Sequence, residues 1–247
     1  MHLKNPIFAV SAPLLVAITG LGSTAMAVEA LNENFSKPPR ALGPPPSPDL
    51  GRTPTVSVHP AENVLSRESA AGVRELANQL RTTGYKIVDD RDVYSLFVEN
   101  ISYQFVPLAT VTEHASSPLA TLSDAPGRFR TLTFLGAIPS DMDNVSKKWS
   151  RVTRYFSLAG GETLVLTESD YIAAKVSTGF PEELVNQYIR GFPGMLMPLK
   201  TSQGNIFTRL TWGSDKKLYQ VYLTGDARGV GAGNELVELA NSIQALE

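Results

Sequence analysis

Cysteine is absent from all 247 residues. That excludes disulfides, thiolate nucleophiles, and zinc–sulfur and iron–sulfur sites. It also excludes lipid attachment to a cysteine placed after an export signal. Histidine is nearly as scarce, with three in the chain. His2 falls in the leader described below and His59 in a Pro-rich stretch, which leaves His114 alone in the part expected to fold. One histidine cannot build a His-rich zinc site, and any Ser–His–Asp triad would have to use it. Its setting, Thr112-Glu113-His114-Ala115-Ser116-Ser117, reads as a solvated polar loop.

Positive charge is short as well. Lys and Arg number 22 against 24 Asp and Glu, a net charge of −2. No block of about five basic residues occurs, so the electrostatic footprint of a nucleic-acid binder is missing. Beyond the first apolar run, no stretch approaches about 18 consecutive apolar residues, and no second membrane span is expected. No sequence pattern calls for a cofactor.

What is present begins with an address. Lys4 supplies a positive n-region, Ile7 to Gly22 form an apolar run, and Ala25-Met26-Ala27 gives the small-x-small pattern of a cleavage site. The run, about 16 residues long, falls short of the roughly 20 that span a membrane comfortably. Residues 1–27 therefore read as a signal peptide cut between Ala27 and Val28, with a periplasmic or secreted product. Left uncleaved, the same segment would be a single N-terminal anchor.

Residues 28–62 read as a Pro-rich linker. Pro38, Pro39, Pro44, Pro45, Pro46, Pro48, Pro54 and Pro60 crowd it, with few large apolar residues between them. Proline fixes φ and removes a donor, which favours an extended spacer over a core element. At about 3.1 Å per residue, the 25 residues from 36 to 60, where the prolines crowd, reach on the order of 75 Å. A tether, a ligand for a proline-recognising partner and a tail without structure all fit it.

Residues 63–247 are expected to form one α+β domain. Val73, Leu76, Ala77 and Leu80 fall on one helical face within a helix from about Ser66 to Thr83, and Gly84 supplies its stop. Tyr85 to Val88, Leu96 to Val106 and Phe129 to Leu135 read as strands. Arg151 to Leu158 and Thr163 to Glu168 flank Ala159-Gly160-Gly161-Glu162 as a hairpin. Phe207 to Trp212 and Leu218 to Leu223 make a second one around Gly213-Ser214-Asp215-Lys216. In it, Leu210, Trp212, Leu218 and Tyr222 are assigned to one face, and Phe207, Arg209, Thr211, Tyr219 and Val221 to the other. Pro181 to Ile189 is expected as a short helix and Gly191 to Pro198 as an irregular connection. A last helix, capped by Asn234, presents Leu236, Leu239, Ala240 and Ile243. The expected architecture is an antiparallel sheet built from hairpins, with two or three amphipathic helices packed on one face.

The motifs that could carry chemistry each lack a necessary part. Gly229-Val230-Gly231-Ala232-Gly233 leads into a helix, yet the third glycine of a dinucleotide fingerprint would be position 234, which is Asn. Ser214-Asp215-Lys216-Lys217 matches Ser-x-x-Lys but lies at a hairpin tip, whereas penicillin-recognising enzymes place it at the start of a helix. Asp89, Asp90 and Asp92, and likewise Asp141, Asp143 and Asn144, cluster without the Gly and distal Glu of a calcium loop. Glycosylation sequons at Asn34, Asn100 and Asn144 matter only in a eukaryotic secretory pathway. Trp149, Tyr155, Tyr188, Phe192, Trp212 and Tyr222 could line a recognition surface or fill a core.

Arg154-Tyr155-Phe156-Ser157 through Leu164-Val165-Leu166-Thr167-Glu168 forms a paired-strand pattern. Leu210-Thr211-Trp212, Leu218 to Leu223, and the Glu235 to Ile243 helix follow it. Residues 130–246 thereby resemble a bacterial extracytoplasmic domain of unknown function, found C-terminal to the membrane anchor of anti-sigma-factor-like envelope proteins. The resemblance implies an α+β fold and a non-catalytic sensing or interaction role. It carries over no functional residue, because no sigma-binding segment precedes the apolar stretch.

Catalytic and metal residues are therefore expected to be none, and binding residues are unassigned. The function expected is an exported, non-catalytic binding or accessory domain of the bacterial envelope. Its partner would be an envelope protein or a small apolar or glycan ligand. Two alternatives stay open. One is a hydrolase of envelope polysaccharide working with carboxylates alone. The other is a carrier of a lipid or other apolar ligand, with Met195-Leu196-Met197 at the mouth of its cavity.

Overall fold

Ser66 and Gly84 bound the longest helix by opposite means. The Ser66 side chain accepts from the backbone N–H of Ser69, and Gly84 takes φ 73° as a left-handed C-cap. Between them, helix α2 (Arg67–Thr83) buries Ala70, Gly72, Val73 and Leu76. The computed structural model describes residues 56–90, 93, 104–143, 145–174, 178–225 and 235–243. The expected leader with its Ala27/Val28 junction, the linker as far as residue 55, the Gly229–Gly233 loop, Asn234 and the three sequons lie outside those residues.

The packed chain starts earlier than the expected boundary at 63. Strand β1 (Val56–His59) and the short helix α1 (Ala61–Val64) fall within the stretch read as linker. Val56 and Ala61 belong to the core, and the Ala61 N–H is held by both carboxylate oxygens of Glu183 at 3.1 Å. Proline at 60 is tolerated because it stands just ahead of the helix, where no intrahelical donor is needed.

The main sheet has eight strands, mostly antiparallel. These are β2 (Lys86–Val88), β3 (Thr133–Met142), β4 (Trp149–Ser157), β5 (Thr163–Asp170), β7 (Gln187–Ile189), β8 (Phe192–Thr201), β9 (Ile206–Gly213) and β10 (Lys217–Thr224). Their order is β2-β8-β9-β10-β5-β4-β3, with β7 on β8. Strand β6 (Thr178–Pro181) pairs separately with β1, in parallel. Helices α3 (Leu108–His114), α4 (Tyr171–Ala174) and α5 (Glu235–Ser242) complete the described α-helices. The α+β class holds.

Several local expectations give way. Pro181 to Ile189 is not a helix: Pro181 ends β6, Glu182–Leu184 form one 3₁₀ turn, and Gln187–Ile189 form β7. Gly191 to Pro198 is not an irregular connection but most of β8. Phe129 sits in a 3₁₀ turn (Gly127–Thr131) ahead of β3, which turns its ring into the core. Of Leu96 to Val106, only the last three residues are described, and Val106 makes an isolated bridge to Ala137.

The second hairpin reverses part of its expected face assignment. Its four-residue loop pairs Gly213 with Leu218, so Trp212 stands opposite Tyr219 and Leu210 opposite Val221. Leu210, Trp212, Tyr219, Val221 and Leu223 therefore share one face, and Phe207, Leu218 and Tyr222 the other. The helices do not share a face either. Leu236, Leu239 and Ala240 of α5 pack with the Leu210–Trp212 side, whereas Ala70, Val73 and Leu76 of α2 pack with Met195, Met197, Leu199 and Phe207. Side chains alternate along a strand, so these two cores lie on opposite sides of the sheet.

Candidate functional site

On the α5 side, strand alternation turns three charged side chains inward. Arg154 stands between Val152 and Phe156 on β4, Glu168 follows Leu166 on β5, and Lys217 opens β10. Their side chains are 9%, 2% and 7% exposed. Glu168 Oε1 lies 2.6 Å from Arg154 Nη2, and its Oε2 lies 3.1 Å from Lys217 Nζ. The same carboxylate accepts the Ala120 N–H at 2.9 Å, Arg154 Nη2 donates to the Ala120 carbonyl at 2.8 Å, and Lys217 Nζ donates to the Pro118 carbonyl. Nearby, Ser116 Oγ donates to Asp170 Oδ2 at 3.0 Å. Segment 116–120 is thus fastened to the sheet by buried side chains, beside one backbone bond from the Ser116 N–H to the Trp149 carbonyl at 2.9 Å.

This cluster consumes its charge internally. Each formal charge meets an opposite charge or a backbone group, as buried ions require. The cavity beside it, lined by Ser116, Ser117, Trp149, Ser150, Glu168, Asp170 and Lys217 among others, measures about 10 Å³. That is about the space of one water molecule. The Tyr219 phenol stacks on Trp212 with centroids 5.0 Å apart, and burial, with the Glu168 charge adding to it, raises its pKa well above the tyrosine range. Glu168 and Asp170 hold structure here, not a cleft.

The α2 side is divided. The helix and β1 cover its β8–β9 end, while the β4–β5–β10 part carries Arg151, Thr153, Thr167, Ser169, Leu218 and Gln220 around an open depression of about 200 Å³. Arg151, Thr153, Thr167 and Gln220 are partly exposed there. Arg151 Nη1 pairs with Asp141 Oδ2 at 3.1 Å and its Nε donates to Ser169 Oγ at 3.1 Å.

The residues singled out from the sequence scatter. His114 ends helix α3 instead of lying in a loop, and its Nδ1 is 3.0 Å from the Thr110 carbonyl and 4.0 Å from Glu113 Oε2. Ser214 does cap a hairpin tip: its N–H donates to the Lys217 carbonyl at 2.8 Å, and its Oγ accepts the Lys217 N–H at 3.0 Å. Asp143 accepts from the N–H groups of Val145 and Ser146, an ordinary turn acid. Asp90 accepts from the Ser202 hydroxyl, which holds its pKa below the usual value. Among the described residues no group of three or more His, Asp or Glu could hold a metal ion.

The aromatic set does not form one surface. Trp212 is core on the α5 side, Tyr155 lies against Phe105 on the α2 side, and Trp149 lies 5.5 Å from the His114 ring. Met195 and Met197 are 3% and 2% exposed and pack in the α2-side core, so they line no cavity mouth. Neither the buried ionic cluster nor the polar depression was identified from the sequence. Alternation with correct hairpin registers would have placed Arg154, Glu168 and Lys217 on one inward face. Comparison of the chain with family models, curated proteins and solved structures finds no match.

Proposed function

We propose that the protein is an exported, non-catalytic binding or accessory domain of the bacterial envelope, as the resemblance noted above implies. The carrying observation, among the described residues, is that Glu168 and Asp170 are spent on internal fastening while a polar, partly exposed patch lies on the α2 side of the sheet. A carboxylate-based hydrolase needs two reachable acids about 5–10 Å apart across a cleft. Glu168 is enclosed, and Asp141 is tied to Arg151. The Pro-rich stretch ahead of β1 would hold this patch away from a surface, and β1 would fix where the stretch leaves the domain.

Photo-cross-linking tests the proposal. A cross-linker placed at Gln220 in the full chain, expressed in cells, should capture a specific envelope component. A cross-linker at exposed Glu113 should not. Equal labelling from both positions, or turnover of envelope polysaccharide by the purified protein, would overturn it.

A further inference from the structure

The polar patch contains a file of side chains that packing alone does not call for. Strand register sets Thr153, Thr167, Gln220 and Thr211 side by side on β4, β5, β10 and β9. Neighbouring strands lie about 4.8 Å apart, so four neutral hydrogen-bonding groups recur at that spacing in one plane. The Thr153 and Thr167 hydroxyls are 3.0 Å apart, and Gln220 Nε2 donates to Thr211 Oγ1 at 3.4 Å. One level along stand Arg151, Ser169 and Leu218; one level the other way stand Tyr155, Val165 and Tyr222.

The lining chemistry selects a ligand class. A cation would need carboxylates, and none of the six residues around the depression is acidic. An anion would need spare positive charge. Arg151 is the one cation among the six, and Asp141 already matches it at 3.1 Å. An apolar ligand would meet an aliphatic side chain only at Leu218. What the patch offers is donor and acceptor capacity at every neutral polar position, since each hydroxyl and the amide can do both.

The geometry points to a neutral polyhydroxylated ligand, an uncharged oligosaccharide with a ring lying across β4, β5 and β10. This rests on the binding-module proposal above and names its ligand. Hydroxyls of the sugar would exchange hydrogen bonds with Thr153, Thr167 and Gln220, and its C–H face would meet Leu218. Strand backbones fix these side chains in advance, which lowers the ordering cost of binding. The depression is below the ~300 Å³ lower bound of drug-sized pockets, so it seats one unit of a chain rather than enclosing a whole ligand.

The test is an NMR titration of the ¹⁵N-labelled protein with maltohexaose, cellohexaose and chitohexaose, and separately with anionic oligogalacturonate. At least one neutral sugar should give saturable shifts at Thr153, Thr167 and Gln220. Thr167→Val with Gln220→Leu should weaken that binding at least tenfold while leaving circular dichroism and the melting temperature unchanged. If the double variant melts lower, Gln220→Met alone serves, with an expected weakening of several fold. Saturable shifts with oligogalacturonate only, equal affinity in wild type and variant, or no shift with any neutral sugar would each overturn the assignment. In the last case, cross-linking from Gln220 separates the failures. A captured protein keeps the binding module and removes its glycan, whereas no capture removes both.

Discussion

Removing the charge of Glu168 should be among the most damaging single changes open to this protein. Glu168→Gln is nearly isosteric, and one oxygen remains to accept the Ala120 N–H, so packing and that hydrogen bond survive. What is lost is the anion between Arg154 at 2.6 Å and Lys217 at 3.1 Å. Two cations then remain in a site where the side chains are under a tenth exposed. Removing one partner of a buried ionic group costs about 3–5 kcal/mol, because the remaining charge stays desolvated and unmatched. For a domain of this size each 1 kcal/mol moves the melting temperature by about 2–4 °C, so a drop of about 10 °C is expected.

Urea unfolding of wild type, Glu168→Gln, and the triple change Arg154→Met, Glu168→Leu, Lys217→Met measures this directly. The triple variant removes all three buried charges together, and such replacements are often close to neutral. Here it also strips partners from the Ala120 N–H and C=O and the Pro118 C=O, at about 1–3 kcal/mol for each buried group left bare. The triple variant should therefore remain destabilised, with faster hydrogen exchange confined to segment 116–120. A Glu168→Gln cost under about 1 kcal/mol, at unchanged m-value, would refute the reasoning and show the cluster to be hydrated in solution.

Gly213→Ala should destabilise by about 1–3 kcal/mol, since its Cβ would stand 2.5 Å from Val56 Cγ2 and 2.8 Å from the Tyr171 hydroxyl. Adding Val56→Ala should recover part of that loss, read as a coupling in a double-mutant cycle. A chain starting at residue 63 should melt below one starting at residue 50, because it lacks β1 and buried Ala61. Burial raises the pKa of Tyr155 to about 12, and those of Tyr171 and Tyr219 also rise. Their contribution is complete below pH 10, where unfolded tyrosine is still protonated, and is lost as pH climbs through the folded values. Unfolding midpoints should therefore fall above about pH 10, with Tyr155→Phe flattening the slope between pH 10 and about 12. Intact mass of the protein recovered from the envelope fraction should place the N-terminus at Val28; a start at Met1 would refute cleavage.

Helix α2 was legible because its signals are local: a serine cap, a 3.6-residue apolar rhythm and a glycine stop all lie within the helix and its flanks. The hairpins were legible as strands for the same reason. Which residues face each other across a hairpin was not, because one residue of loop length exchanges the two faces of a strand. That single ambiguity hid the ionic cluster, since Arg154, Glu168 and Lys217 meet only when the β4–β5 and β5–β10 registers are right together. It hid the Thr153–Thr167–Gln220–Thr211 file as well.

Strand β8 was hidden by a different cause. It lies inside the sheet, and its Met195-Leu196-Met197 run shows continuous apolarity instead of alternation, while Gly191, Pro193, Gly194 and Pro198 read as breakers. The structure explains how the prolines are accommodated. On the edge opposite β9, β7 pairs β8 only as far as Gly194 and β2 only from Leu199 onward. Between them the Asn186 side chain stands in for a strand, accepting the Leu196 N–H at 2.7 Å and donating to its carbonyl at 2.8 Å. Backbone groups alternate between the two edges, so Pro198 directs its missing donor into this same gap, where no strand asks for one. Asn186→Leu should accordingly cost more than an exposed amide would, about 1–3 kcal/mol for the orphaned Leu196 groups. The loss should appear as faster exchange of the Leu196 amide, with the β9 pairing intact. An Asn186→Leu protein whose Leu196 amide stays protected would show that another group satisfies this edge.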